Sequence, residues 1–160
     1  MTKLSGKHAL MQMLKAEGVK YIFGNPGTSE AAIMEALENY PELEYILVVQ
    51  EAVAIGMADA YARATGNVGF VSLHIDNGLA NAFALLVDSK NTGTPLVITA
   101  GNKDVRKLAE GRSDLVRMAE PFTKWSAEIT HPEQYPAIIR RAFNEAKTPP
   151  RGPVFISFSA

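Results

Sequence analysis

The stretch Tyr45-Ile46-Leu47-Val48-Val49-Gln50-Glu51 is an unbroken apolar run that ends in two polar residues. It leads directly into a segment dense in alanine, with Ala52, Ala54, Ala58, Ala60, Ala62 and Ala64 before Gly66. Five consecutive apolar residues suit a strand buried on both faces. The alanine-rich segment is expected to be a helix from about Glu51 to Ala64, stopped by Gly66. Val68 to Leu73 then reads as another strand. Strand, helix and strand in this order imply a right-handed crossover between parallel strands.

The same alternation extends in both directions. Upstream, Ala9, Leu10, Met13 and Leu14 mark one helical face, with Gly18 as its stop. Tyr21-Ile22-Phe23 reads as a strand closed by Gly24-Asn25-Pro26-Gly27, and a second helix carries Ile33, Met34 and Leu37. Downstream, His74 to Gly78 reads as an exit loop, followed by a helix from about Leu79 to Ser89 and a strand from Pro95 to Ala100. Gly101 to Glu120 is charged and mixed; it is expected to be a mobile surface segment with a short helix near Leu115 to Met118. Lys124 to Ile129 is a candidate short strand. His131-Pro132-Glu133 opens a last helix with Ile138, Ile139, Ala142 and Phe143, and Val154 to Phe158 is the final strand. The fold class is therefore α/β, a parallel sheet of about six strands with helices on both faces.

Composition agrees with one globular domain spanning residues 1–160. Apolar residues make up 47% and charged residues 21%, with a net charge of -1, which excludes dominant disorder. No basic excess exists to neutralise phosphates, so nucleic acid is not an expected partner. With no cysteine, disulfides, thiolate metal sites and cysteine nucleophiles are excluded. The three histidines have no metal-ligand spacing, so no protein metal site is expected. No signal-peptide pattern and no apolar run of membrane-span length occurs, which makes a cytoplasmic setting the expectation.

Ligands of parallel sheets bind at the carboxyl ends of the strands. Four stretches lie there: Gly24 to Ser29, Gln50-Glu51, His74 to Gly78 and Gly101 to Lys103. In the first, glycines permit close backbone approach, and Thr28 or Ser29 can cap the following helix. It is neither a Walker loop nor a dinucleotide fingerprint. Glu51 admits two readings. It complements the positive end of its helix, or it is desolvated at a boundary between two copies that meet through the small-residue face Ala54, Ile55, Ala58 and Ala62. A desolvated carboxylate can trade a proton with a ligand nitrogen. His74, beside Asp76 and Asn77, is either structural or a functional residue at the active edge. His8 and His131 read as surface positions, Trp125 as packing, and Lys103 to Arg112 as a solvated face.

Taken in order, several motifs resemble a known family. They are Phe23-Gly24-Asn25-Pro26-Gly27-Thr28-Ser29-Glu30, Gln50-Glu51-Ala52, Ala58 to Gly66, Leu73-His74, Gly78 with Asn81-Ala82, Pro95 to Gly101, Lys124-Trp125 and Pro150 to Val154. The set is similar to the amino-terminal pyrimidine-binding domain of thiamine-diphosphate-dependent enzymes. Within that superfamily it most resembles benzoylformate decarboxylase and next the acetolactate synthase group. The resemblance covers essentially all 160 residues.

The resemblance implies the thiamine-diphosphate-binding fold and a set of roles. Glu51 would hydrogen-bond the aminopyrimidine ring and share a proton with it, so that the ring nitrogen can remove the thiazolium C2 proton. His74 would transfer protons and touch substrate. Thr28 would sit where the family has a serine contacting the substrate carboxylate. Asn25, Pro26 and Gly27 would line the cleft, with Asn81 beside it. The substrate would be a small 2-oxo acid, and the activity that of a lyase.

Central and diphosphate-binding domains, the latter holding magnesium and the diphosphate, have no counterpart in these 160 residues. The resemblance therefore implies half a site, inactive without a diphosphate-binding domain or subunit, and a second copy of the chain as partner. The alternatives are an acetolactate synthase-like carboligase component and a non-catalytic domain for assembly or regulation.

Overall fold

The computed structural model describes residues 4–106 and 111–159. Six helices and six strands alternate among them: α1 Gly6–Ala16, β1 Tyr21–Gly24, α2 Ala31–Leu37, β2 Glu44–Leu47, α3 Glu51–Thr65, β3 Gly69–Leu73, α4 Ile75–Thr92, β4 Leu96–Asn102, α5 Leu115–Ala119, β5 Trp125–Ile129, α6 Tyr135–Lys147 and β6 Val154–Ser159. The strands form one sheet in the order β2-β1-β3-β4-β6-β5, and every pair is parallel. The α/β class and the six strands agree with the sequence reading. No described helix is long and apolar enough to cross a membrane.

Alternating strand residues feed two cores, because successive side chains point to opposite faces. Ile22, Phe70, Val97, Val154, Ile156 and Phe158 pack with Leu10, Met11 and Leu14 of α1 and Ile139, Ala142 and Phe143 of α6. Phe23, Val71, Leu73, Leu96, Ile98 and Phe155 pack on the other face with α3, α4 and α5. Helix α1 buries Met11 together with Leu10 and Leu14, while Met13 lies at the flank of that core.

Three expectations change here. The run Tyr45 to Val49 is not buried on both faces. Its first three residues lie in β2, the sheet edge; Leu47 is 67% exposed, and Val49, beyond the strand, 95%. The small face of α3 is not an interface between copies either. Ala54, Ile55, Ala58 and Ala62 are buried in the chain's own core against β3 and α4. Small side chains let α4 approach α3, and the Ser89 hydroxyl reaches the Asp59 carboxylate at 2.7 Å. Finally, α4 starts at Ile75 rather than near Leu79, so Asp76, Asn77 and Gly78 form its first turn. Asp76 there complements the positive helix end.

The segment after β4 is also more anchored than its charge suggests. Gly101 and Asn102 are the last residues of β4. The Arg112 side chain is buried, pairs with Glu128 and donates to Ser159 at 2.8 Å, so it is not part of a solvated face. Lys107 and Glu110 lie outside the described residues. The expected stop at Gly66 holds: it caps α3 with φ of 76°, a left-handed conformation that favours glycine.

Asp59 ties α3 to α4. Burial pushes its carboxyl up, but hydrogen bonds from Ser89 and Arg63 outweigh this and hold it below the ordinary value. A carboxyl depressed in the fold stabilises fully above its unfolded value of about 3.9. That contribution is lost as pH falls through the folded value. Asp59→Asn is therefore expected to cost about 1–2 kcal/mol at pH 7, with the gap to the parent closing below pH ~4. Urea unfolding midpoints at several pH values check this.

Candidate functional site

The sheet order creates a crevice. Strand β1 pairs with β2 on one side and β3 on the other. The chain leaves β1 toward α2, which packs in the α1 core, and leaves β3 toward α4 on the opposite face. Two connections that diverge to opposite faces leave a gap at the carboxyl ends of their strands, the topological switch point. The loop Gly24 to Glu30, the start of α3 and the start of α4 all meet there.

Two polar clusters line this gap. The first surrounds Glu51, the first residue of α3, which is only 7% exposed. The Asn25 side-chain amide donates to Glu51 Oε1 at 3.1 Å, and the Asn81 amide to Oε2 at 3.0 Å. Gln50 caps the helix, its side chain accepting from the Val53 amide at 3.2 Å. The carboxylate is thus desolvated by its own chain, beside a positive helix end, with each oxygen held by one amide donor. Both readings of Glu51 contribute, and the desolvation needs no second copy.

The second cluster surrounds His74, the residue before α4. Its Nδ1 lies 2.9 Å from Glu30 Oε2 and 2.8 Å from Ser29 Oγ. Glu30 is 1% exposed. It also accepts from the Gly27 amide at 2.9 Å, the Gly101 amide at 3.0 Å and the Ser29 hydroxyl at 2.7 Å. Three of the four stretches expected at the active edge are thereby joined through one carboxylate. Ile75, the next residue, has φ of 39°, a costly conformation for a β-branched side chain.

The site residues expected from the sequence fall as follows. Asn25, Glu51 and Asn81 come together, and Gly27 packs directly against the His74 ring. Pro26 lies between the two clusters in sequence and has no N–H to donate. Thr28 is exposed at the rim and opens a 3-10 turn, Thr28–Glu30. Neither Thr28 nor Ser29 caps α2: the Ser29 hydroxyl is spent on Glu30 and His74. Asp76 and Asn77 do not join His74; Asp76 pairs with the Ser113 hydroxyl, which holds its carboxyl below the ordinary range. Glu30 is not a site candidate from the sequence, and Ser29 is expected there only as a cap. The available signal was a glutamate three residues after Gly27, in a polar loop at a strand's carboxyl end. Among the described residues no cluster of three or more potential metal ligands occurs.

A buried carboxylate and an imidazole line one crevice at a switch point, the place where open α/β sheets bind their ligands. Residues 4–123 match the family described as thiamine pyrophosphate enzyme, N-terminal TPP binding domain, and the chain belongs to that family. It is 35% identical over 155 residues to benzoylformate decarboxylase of Pseudomonas aeruginosa, covering 93% of this chain and 29% of that protein. It is 35% identical over 159 residues to the acetolactate synthase large subunit of Haemophilus influenzae, covering 98% and 28% respectively. A solved structure of the thiamine diphosphate-dependent 4-hydroxybenzoylformate decarboxylase of Rhodococcus jostii RHA1 superposes with a TM-score of 0.91 at 31% identity, over 98% of this chain and 30% of that one. The chain thus spans less than a third of the length of these relatives.

Gly27 tests how tightly the second cluster is built. Its backbone is not left-handed, but an added Cβ would overlap Cγ and Nδ1 of His74. Gly27→Ala is expected to cost about 1–3 kcal/mol by overpacking, checked by denaturant unfolding. An unchanged midpoint would mean that the loop yields freely.

Proposed function

We propose that this chain is the pyrimidine-binding half of a thiamine-diphosphate-dependent 2-oxo acid decarboxylase. The observation that carries the reading is the pairing, in one crevice, of a buried Glu51 held by two amides with a His74 held by a buried carboxylate. The donor set at Glu51 fits the cofactor's aminopyrimidine. Each carboxylate oxygen accepts one amide bond, which leaves lone pairs to accept from a protonated ring nitrogen. Thiamine diphosphate, when bound, supplies the electron sink that lets carbon dioxide depart.

The chain's own residues do the rest. Asn25 and Asn81 orient the Glu51 carboxylate, and Glu51 shares a proton with the ligand ring. Pro26 and Gly27 line the cleft. His74 takes and returns a proton on the substrate side, and Thr28 offers its hydroxyl at the rim. The equal identity to an acetolactate synthase large subunit favours, as the second reading, a carboligase component.

The remaining half of the site, with magnesium and the diphosphate, belongs in this reading to a diphosphate-binding domain or subunit. Domain boundaries at 1–160 follow from it. Val53 and Met57, one turn apart on α3, and Leu85 of α4, which lies against Gly56 of α3, are exposed apolar residues. A patch of this kind suits a partner domain, and a second copy of the chain enters through that assembly. Leu85→Glu is expected to reduce the assembled fraction in sedimentation velocity without lowering the thermal midpoint.

The deciding experiment is turnover of a panel of 2-oxo acids by the complete assembly, with products identified by mass. Glu51→Gln is expected to lower kcat by roughly 10²–10⁴-fold, the range for a positioned acid–base group. His74→Ala is expected to impair decarboxylation similarly. Near-parent turnover in Glu51→Gln would remove the proposed mechanism, and carbon–carbon bond formation as the main outcome would select the second reading.

A further inference from the structure

Resting on the reading of His74 as a proton-transfer group, we propose that Glu30 is its positioning residue. Glu30 dictates which ring nitrogen carries the proton and leaves Nε2 as the working atom. The argument is one of donor and acceptor counting. Glu30 receives the Gly27 and Gly101 amides and the Ser29 hydroxyl, all donors. A carboxylate is acceptor-only and has lone pairs for a fourth donor. Three converging donors favour the ionised form of Glu30, and an ionised carboxylate can make the 2.9 Å contact with His74 Nδ1 only to an Nδ1–H. Ser29 has one hydrogen, and it points to Glu30 Oε1; at 2.8 Å from Nδ1, Ser29 Oγ is then a second acceptor for that same N–H. Every contact is satisfied by a single assignment of protons.

With Nδ1 protonated, the neutral ring has its lone pair on Nε2. Among the described residues Nε2 has no hydrogen-bond partner, and the His74 side chain is 26% exposed toward the crevice end of the strands. The proton exchange balances without a relay. Nε2 accepts a proton to give an imidazolium, the Nδ1–H stays where it is, and the proton leaves again from Nε2. Glu30 stays unprotonated throughout and stabilises the cation, the role an orienting carboxylate has beside a catalytic imidazole.

Packing gives independent support. A Cβ at Gly27 would overlap the His74 ring, and a Cβ at Gly101 would sit 2.5 Å from Glu30 Oε1 and 2.5 Å from Ser29 Cβ. Both glycines leave the space that the Glu30–Ser29–His74 arrangement occupies. The Gly101 bond fastens the carboxylate to β4, and the Gly27 bond fastens it to the cleft loop. The ring orientation is thereby referred to the rigid sheet as well as to the cleft loop.

The test is 15N NMR of the complete enzyme labelled in histidine, with the His74 signals assigned by difference from His74→Gln. In the parent enzyme Nδ1 is expected to be the protonated, pyrrole-type nitrogen and Nε2 the pyridine-type one. Glu30→Gln replaces an acceptor by a donor and is expected to populate the Nε2–H ring while lowering kcat by roughly 10²–10⁴-fold. An Nε2–H ring in the parent enzyme overturns the proposal. So does an Nδ1–H ring that is unmoved in folded Glu30→Gln. If that variant does not fold, the parent spectrum decides alone. Full turnover in His74→Ala would instead refute the proton-transfer reading of His74, independently of the tautomer observed.

Discussion

The arrangement of this chain depends on one constraint: β1 is hydrogen-bonded on both sides, to β2 and to β3, with all three strands parallel. A chain that satisfies both pairings must cross the sheet in one direction after β1 and return in the other after β2. Its connections then leave β1 and β3 toward opposite faces. The gap between them is a geometric consequence, and loops that would otherwise be plain turns become its walls. The buried strands β3, β4 and β6 make this scaffold stiff. Polar side chains can be held over it with little freedom to move.

Two buried carboxylates occupy that gap, and each is stabilised differently. Glu51 lies at a helix start with two side-chain amides as partners. Glu30 has two backbone amides, one hydroxyl and an imidazole. Burying a carboxylate without such partners would be costly, so the surrounding donors are part of the folding requirement as well as of the site. The two clusters share the loop Gly24 to Glu30, which contributes Asn25 to one and Gly27, Ser29 and Glu30 to the other. A disturbance of this loop is therefore felt at both. Arg112, Glu128, Ser157 and Ser159 bind the chain after residue 110 to the ends of β5 and β6.

Much of the architecture was legible from periodicity. The alternation of apolar runs with helical faces yields the number of strands, their parallel pairing and the loops that reach the active edge. The stops at Gly66 and Gly18 follow from backbone chemistry that only glycine offers cheaply. Three readings failed for one shared reason. Tyr45 to Val49 looks like a central strand, Ala54 to Ala62 looks like an interface, and Arg112 looks solvated. In each case the composition is correctly read but the neighbour is not, because neighbours come from distant parts of the chain. An apolar run carries no mark of whether a strand pairs on one side or two, and a small-residue face does not say which helix it meets.

The sequence by itself determined the α/β class, the family resemblance and the candidates Asn25, Gly27, Glu51, His74 and Asn81, since local pattern and motif order are properties of the chain alone. Tertiary structure decided that Glu51 is desolvated within one chain, that α4 begins directly after His74, and that Ser29 and Glu30 hold the His74 ring. Glu30 meets Gly101 71 residues away and His74 44 residues away. Hydrogen-bond partners at such separations are set by which strands lie side by side, and that order is a property of the folded sheet.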